Sequence, residues 1–127
     1  MSRPTSIPDG LHLELSRAKV LPGRSDEADR WMQMLDDRHE ECVATLDRER
    51  MAVEMVFRLR EDGEDYLYWV AVRGDGESLE TSEHQVDRDH EAQARRTKEP
   101  GWVEAEPQVL LLPEPVREAV LAWALRA

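Results

Sequence analysis

Cysteine is nearly absent from the sequence, since Cys42 is the only one in 127 residues. A single thiol cannot form an internal disulfide and does not supply the paired spacing of a zinc knuckle. Cys42 occupies an apolar position of a helical pattern, which indicates a small buried hydrophobe rather than a catalytic thiol. A chain of this length can bury a core without covalent cross-links.

Long apolar runs are absent as well. No segment approaches the roughly 20 apolar residues that a membrane-spanning helix needs. The N-terminus lacks the apolar stretch of a signal peptide. We therefore expect a cytoplasmic protein with no membrane partner.

Positive charge is scarce: 17 Lys and Arg stand against 28 Asp and Glu, which gives a formal net charge of -11. Nucleic-acid binding normally needs clustered basic residues, and here they are scattered, so we expect no nucleic-acid partner. Charged residues make up 35% of the chain and apolar residues 40%, against a usual charged share of roughly 25%. Because apolar material is short, sharing a core with a second copy is favoured, and the sequence predicts a homodimer.

Alternation of apolar and polar residues begins only after the tenth residue. Residues 1–10 show no periodicity and are predicted to form a flexible N-terminal arm, with a single domain over 11–127. Leu11, Leu13 and Leu15 alternate with polar residues, which is typical of a half-buried strand. The apolar positions then shift to Ala18 and Val20, so the pattern predicts a β-bulge near residue 16.

The rest of the chain divides into clear helical and strand patterns. Apolar residues at helical spacing predict one long helix over 26–49. The sequence YLYWVAVR at 66–73 is apolar on both faces, which is typical of a central strand. The other predicted elements, in chain order, are a strand over 51–60 with a hairpin turn at Asp62-Gly63, a helix capped by Ser82 and ending near Lys98, a strand over 103–112, and a short helix beginning at Pro115.

The order β-α-β-β-α-β is that of the split βαβ, ferredoxin-like motif, so we predict an α+β fold with an antiparallel sheet and two helices on one face. The apolar third strand requires a cover for the other face as well. Two such sheets meeting face to face form a dimeric α/β barrel, and this is the preferred architecture. The alternative is that the C-terminal helix covers the sheet within one chain.

Chemistry is suggested first by the helix over 82–98. His90 lies in the middle of its weakly apolar stripe, with Glu83 and Asp87 close by on the same side. Three interpretations stay open: these groups hydrogen-bond one another or the first strand, they form a pocket in which His90 acts as acid or base, or they hold a metal. His84 and His90 are poorly spaced for a shared metal, so the metal signal is weak and no metal is predicted.

A second carboxylate of interest is Glu54, on the alternate face of the second strand. If that face lines a cavity, Glu54 is a proton acceptor in apolar surroundings; otherwise it is a solvated sheet position. The residues predicted to contact a substrate in such a cavity are Met55, Tyr66, Tyr68 and Trp69. The pair Gly74-x-Gly76 lacks the context of a dinucleotide-binding loop, and no cofactor is predicted.

Four segments together resemble an uncharacterised bacterial family of small ferredoxin-like proteins, catalogued as a domain of unknown function. They are KVLPG at 19–23, ERMAVE at 49–54, YLYW at 66–69, and Ser82-Glu83 followed by Asp87 and His90. The resemblance covers residues 11–113 and implies the dimeric α/β-barrel kind of fold. It brings no established activity, but Glu54, Glu83, Asp87 and His90 lie within it.

Two function hypotheses follow. The first is a protein that binds a small hydrophobic molecule, such as a cofactor-independent oxygenase, isomerase or cyclase, in which His90 or Glu54 moves a proton. The alternative is a non-catalytic dimeric module for ligand sensing or protein interaction. The topology alone hosts many unrelated functions and does not decide between them.

Overall fold

The structure is a computed structural model that describes residues 3–126. Its strands are β1 (His12–Lys19), β2 (Met51–Glu61), β3 (Glu64–Arg73) and β4 (Val103–Glu104). Its helices are α1 (Ser25–Asp37), α2 (His39–Glu49), α3 (Gln85–Thr97) and α4 (Glu114–Ala124), with a 3-10 turn at Leu79–Thr81. The predicted mixed α+β class is confirmed.

The four strands form one antiparallel sheet in the order β2-β3-β1-β4. β3 pairs with both β1 and β2, so its predicted central place is confirmed. The hairpin between β2 and β3 turns at Asp62 and Gly63, whose φ angles are 52° and 77°. Positive φ at both central residues is typical of the tight hairpin turn whose twist matches that of the flanking strands.

The predicted bulge in the first strand is wrong. β1 pairs with β3 in unbroken register from His12, opposite Arg73, to Lys19, opposite Tyr66. Leu13 and Leu15 lie on one face of the strand and Ala18 lies on the other, where it is 1% exposed. Because each face has its own apolar residues, the shift in the pattern marks a change of face and needs no extra residue.

The predicted single helix over 26–49 is divided in two. Arg38, between α1 and α2, has φ -103° and ψ 34°, outside the helical range. Its guanidinium donates to Asp89 of α3 at 2.6 Å and to Glu41 of α2 at 2.7 Å. These bonds hold the bend against α3.

The third helix begins later than its capping pattern predicts. α3 starts at Gln85, and the Ser82 hydroxyl accepts the backbone N–H of His84 at 3.1 Å, so Ser82 closes the turn before the helix. The predicted strand over 103–112 is paired only at Val103–Glu104, and the Ala105 N–H reaches Leu15 O just beyond it. Pro107 cannot donate to a ladder, which is consistent with the loss of pairing there.

The C-terminal helix forms as predicted and contacts the ends of two strands. The Trp123 indole N–H donates to Met51 O at 2.8 Å, at the start of β2. Gly74, just after β3, is so close to α4 that a Cβ there would lie 1.8 Å from Ala124 O. Only glycine is accommodated at this contact.

The segment before β1 also contacts the domain. Ile7 is 5% exposed, and the Ser6 hydroxyl accepts the Leu110 N–H at 3.0 Å. Met1, Ser2 and Ala127, at the ends of the predicted arm and domain, lie outside the described residues. The flexibility of the arm stays a prediction.

Between the helices and the sheet, packing is complete at one end and open at the other. Val20, Ala28, Trp31 and Leu67 form a core cluster in which no side chain is more than 3% exposed. The other end of the same layer contains a cavity. The opposite face of the sheet carries exposed apolar side chains, among them Phe57 of β2 at 56%.

Candidate functional site

The open end of the helix–sheet layer encloses a cavity of about 620 Å³. Apolar side chains from helices and sheet form most of its wall, including Met32, Leu35, Val56 and Val86. Met55 of the edge strand β2 borders the cavity, although strand alternation places its side chain on the other face. Two tryptophans and two histidines add aromatic surface: Trp69, Trp102, His39 and His90. Six carboxylates also line it, namely Glu14, Asp36, Glu49, Glu54, Asp87 and Glu104.

Three rings stack at the junction between the packed core and the cavity. Trp31 of α1, Trp69 of β3 and His90 of α3 have ring centroids 5.2 to 5.3 Å apart. The Trp31 indole N–H donates to His90 Nδ1 at 2.8 Å. An accepting Nδ1 places the proton of the neutral imidazole on Nε2. Burial lowers the pKa of His90 to about 4, although nearby Asp87 opposes the shift, so this ring is uncharged at neutral pH.

Glu54 is held on the other side of Trp69. The Trp69 indole N–H donates to Glu54 Oε2 at 3.0 Å. Burial raises the pKa of Glu54, the Trp69 hydrogen bond opposes this, and the charge of Asp87 adds to it. The Glu54 side chain keeps accessible surface toward the cavity. A molecule entering the cavity therefore reaches a carboxylate that binds protons more readily than one in water.

Two more carboxylates complete an acidic wall. Burial raises the pKa of Glu49 to about 7, and the charges of Glu54 and Asp87 add to the shift. Asp87 is 6% exposed, and its Oδ2 is buried with no hydrogen-bond partner among residues 3–126. No Lys or Arg lines the cavity within the part of the chain that the structure describes. Glu49, Glu54 and Asp87 form no ion pair among the described residues.

The cavity brings together five of the side chains singled out from the sequence and excludes four. Those that line it are Glu54, Met55, Trp69, Asp87 and His90. Those outside it are Tyr66, Tyr68, Glu83 and His84. Glu83 and His84 lie exposed just before α3, while Tyr66 and Tyr68 point to the opposite face of the sheet. His90 bonds to Trp31 rather than to either carboxylate of its own helix.

Sequence reasoning missed Trp31, Trp102 and Glu49 as site residues. Trp31 fits the apolar side of the predicted helix over 26–49, but its indole N–H needs a buried acceptor, and the acceptor is His90. Glu49 ends α2, where its spacing carries no special pattern. Trp102 follows a Pro-Gly pair in a loop, and its ring meets Trp69 edge-on at 5.8 Å.

Other candidate sites are weaker. Among residues 3–126, no group of three or more His, Cys, Asp or Glu side chains is placed to hold a metal ion. A second cavity, of about 430 Å³, is bounded by Ser6, residues 110–113 and Arg117. Arg117 is the one ionisable side chain on that wall as described. No helix in the described chain has the length and apolar character to cross a membrane.

Comparison with known proteins gives one match. Residues 11–118 match the model of a family described as "Family of unknown function (DUF6176)". No curated protein and no solved structure matches the chain. The matched range includes every side chain that lines the cavity.

Proposed function

We propose, for a chain that belongs to the DUF6176 family of unknown function, that it binds a small organic molecule in the cavity and moves a proton on it. Glu54 is the proposed base, and His90 is the proposed hydrogen-bond donor. The observation that carries this proposal is a carboxylate that accepts the Trp69 indole N–H at 3.0 Å and faces a cavity of about 620 Å³, where burial raises its pKa. Small-molecule sites commonly measure roughly 300–1,000 Å³.

The chemistry follows from the two hydrogen bonds on the aromatic rings. Trp69 holds Glu54 Oε2, which leaves Oε1 for a proton of the bound molecule. A carboxylate whose pKa is raised toward neutrality is a more effective general base than an ordinary one. His90, neutral and bonded through Nδ1 to Trp31, offers its Nε2–H to a polar atom of the same molecule. Isomerisation and cyclisation require such a proton transfer and no redox cofactor.

Deuterium uptake tests this function directly. A panel of small carbonyl and amine compounds is incubated with the protein in D₂O, and mass spectrometry follows deuterium entering carbon positions. We expect at least one compound to exchange with the wild-type chain, and Glu54→Gln to slow that exchange by about 100-fold or more. Glu83→Gln removes the same charge outside the cavity and serves as the matched control. The proposal would be contradicted if Glu54→Gln exchanged deuterium at the wild-type rate, or if the wild-type chain exchanged none of the compounds.

The proposed architecture around this site is a ferredoxin-like domain that pairs into a dimeric α/β barrel. Helices lie between β1 and β2 and between β3 and β4, and the strand order β2-β3-β1-β4 is consistent with the split βαβ motif. The sheet face away from the helices carries exposed apolar side chains: Leu15 at 40%, Val53 at 36%, Phe57 at 56% and Leu59 at 45%.

A second copy of the chain is the proposed cover for this face. An identical sheet presents the same apolar surface, which suits a two-fold contact. The rival cover, α4, contacts Met51 and Gly74 at the sheet's end and leaves Phe57 exposed. Native mass spectrometry is expected to give the mass of two chains, and a single-chain mass would contradict the barrel.

A further inference from the structure

We propose that the molecule bound in this cavity is an organic cation: a protonated amine on an apolar body. This inference rests on the proposed function and specifies the class of its ligand. Three independent features of the cavity support it. They are its unbalanced charge, one buried oxygen without a partner, and its aromatic wall.

The charge of the wall is negative and largely uncompensated. Of the six lining carboxylates, Glu14 receives the Arg73 guanidinium at 2.7 Å and Glu104 receives the Ser16 hydroxyl at 2.7 Å. The Ser16 hydroxyl is neutral, so Glu104 has no ion-pair partner among residues 3–126, and neither have the other four: Asp36, Glu49, Glu54 and Asp87. Neighbouring like charges of this kind repel an anionic ligand and attract a cationic one.

Asp87 shows where the ligand's charge would sit. Its side chain is almost fully buried, and Oδ2 has no donor within hydrogen-bond distance in the described chain. A buried polar atom without a partner is unfavourable, and buried carboxylates in proteins are normally paired. His90 lies nearby but is neutral, so it does not supply the missing charge. Asp87 lines the cavity, so an ammonium group there would supply the opposite charge that its carboxylate lacks.

The aromatic wall suits the same ligand. Indole faces attract cations within about 6 Å, and the attraction grows when water is excluded. Trp102 already shows this contact, because Lys98 Nζ lies 4.5 Å from its ring centroid. Lys98 does not line the cavity, and its ammonium donates to the carbonyls of Glu99 and Gly101. Trp69 stands between Trp102 and His90 and offers its ring surface to the cavity.

A cationic ligand also reconciles the acidic wall with the proposed proton transfer. Removing a proton from a neutral molecule would create an anion beside Glu49 and Asp87, which their charges disfavour. Removing a proton from a cation instead lowers its positive charge. Glu54 takes the proton from a C–H bond of the cation and becomes neutral, the electron pair of that bond stays on the carbon, and the ligand becomes neutral overall.

Three probes with one apolar body and different charges test the inference. They are 2-phenylethylamine, 2-phenylethanol and phenylacetate, titrated by isothermal calorimetry at pH 7.5 and low salt. We expect the amine to bind about tenfold tighter than the alcohol or more, and phenylacetate to bind weakest. Asp87→Asn should lower amine affinity by about tenfold and leave alcohol affinity unchanged. Glu83→Gln, outside the cavity, should change neither.

The remaining outcomes overturn the inference. Equal affinity for amine and alcohol would do so, as would tighter binding of phenylacetate or an equal effect of Glu83→Gln and Asp87→Asn. Failure of the amine to bind at about 10 mM would do so as well. If Asp87→Asn fails to fold, Glu54→Gln must show the same selective loss of amine affinity. If deuterium exchange depends on Glu54 while the amine binds no better than the alcohol, the cation inference fails and the proposed function stands.

Discussion

The two ends of the layer between helices and sheet are built from the same elements but do opposite things. At one end Val20, Ala28, Trp31 and Leu67 exclude water almost completely. At the other end, one or two turns along the same helices, apolar side chains are mixed with carboxylates and His90 around an open cavity. The first end stabilises the fold through buried apolar area. The second contains desolvated and unpaired groups that do not stabilise it, which is typical of a binding site.

Truncating one leucine at each end tests this contrast most strongly. Leu67→Ala should lower the free energy of unfolding by about 3–4 kcal/mol, because Leu67 is fully buried and its loss leaves a void. Leu35→Ala should cost only about 1–2 kcal/mol, since Leu35 borders a space that is already open. Urea denaturation measures both. Equal losses would show that the cavity end is packed as tightly as the core.

The histidine at the boundary should make stability depend on pH. The pKa of His90 is about 4 in the folded chain against 6.5 for an ordinary histidine. Between these values the unfolded chain takes up a proton that the folded chain does not. The free energy of unfolding should therefore fall as the pH drops from 6.5 to 4, by up to about 3 kcal/mol from this group.

Comparing variants with the wild type isolates this contribution. His90→Gln should lose the acid-dependent part of the curve, whereas His84→Gln, exposed at the start of the same helix, should retain it. Chemical denaturation at intervals from pH 4 to pH 8 provides the measurement. A curve for His90→Gln that runs parallel to the wild type throughout would refute a buried, neutral imidazole.

The smallest effect is expected at the acidic wall, and it has the opposite sign. The pKa of Glu49 is about 7 in the folded chain against 4.5 ordinarily, so the folded state holds a proton that the unfolded state has released. This group contributes less stability as the pH rises from 4.5 to 7. Glu49→Gln should be about 1–2 kcal/mol more stable than wild type at pH 8 and indistinguishable from it near pH 4. Glu40→Gln, exposed on the same helix, is the control, and a Glu49→Gln variant less stable at pH 8 would contradict the desolvated carboxylate.

Local patterns in the sequence were sufficient for most of the fold. The hairpin at Asp62-Gly63, the central strand β3, the α+β class and membership of a family of unknown function are all confirmed. The bend at Arg38 was not predictable, because both halves keep helical spacing and the bend is held by Asp89, 51 residues away. The spacing of apolar residues along a helix carries no information about such long-range contacts.

The site was predictable in its acids and not in their partners. The sequence singles out Glu54, Asp87 and His90 because a polar group on a face that packs is costly to bury unless it is hydrogen-bonded or has a function. Trp69 donates a hydrogen bond to Glu54, and Trp31 donates one to His90. A hydropathy pattern treats both tryptophans as apolar and does not reveal their indole N–H donors. Tyr66 and Tyr68 were placed with the substrate because the strand is aromatic, but alternation sends them to the other face.

The contact between Trp31 and Trp69 has an optical consequence. Two indole rings whose centroids lie 5.2 Å apart and whose planes incline by 32° have coupled electronic transitions. Such coupling splits the absorption into a pair of circular dichroism bands of opposite sign. Because Trp69 also lines the cavity, we expect the size of that couplet to change when a molecule fills the cavity. Circular dichroism would then follow binding without a label.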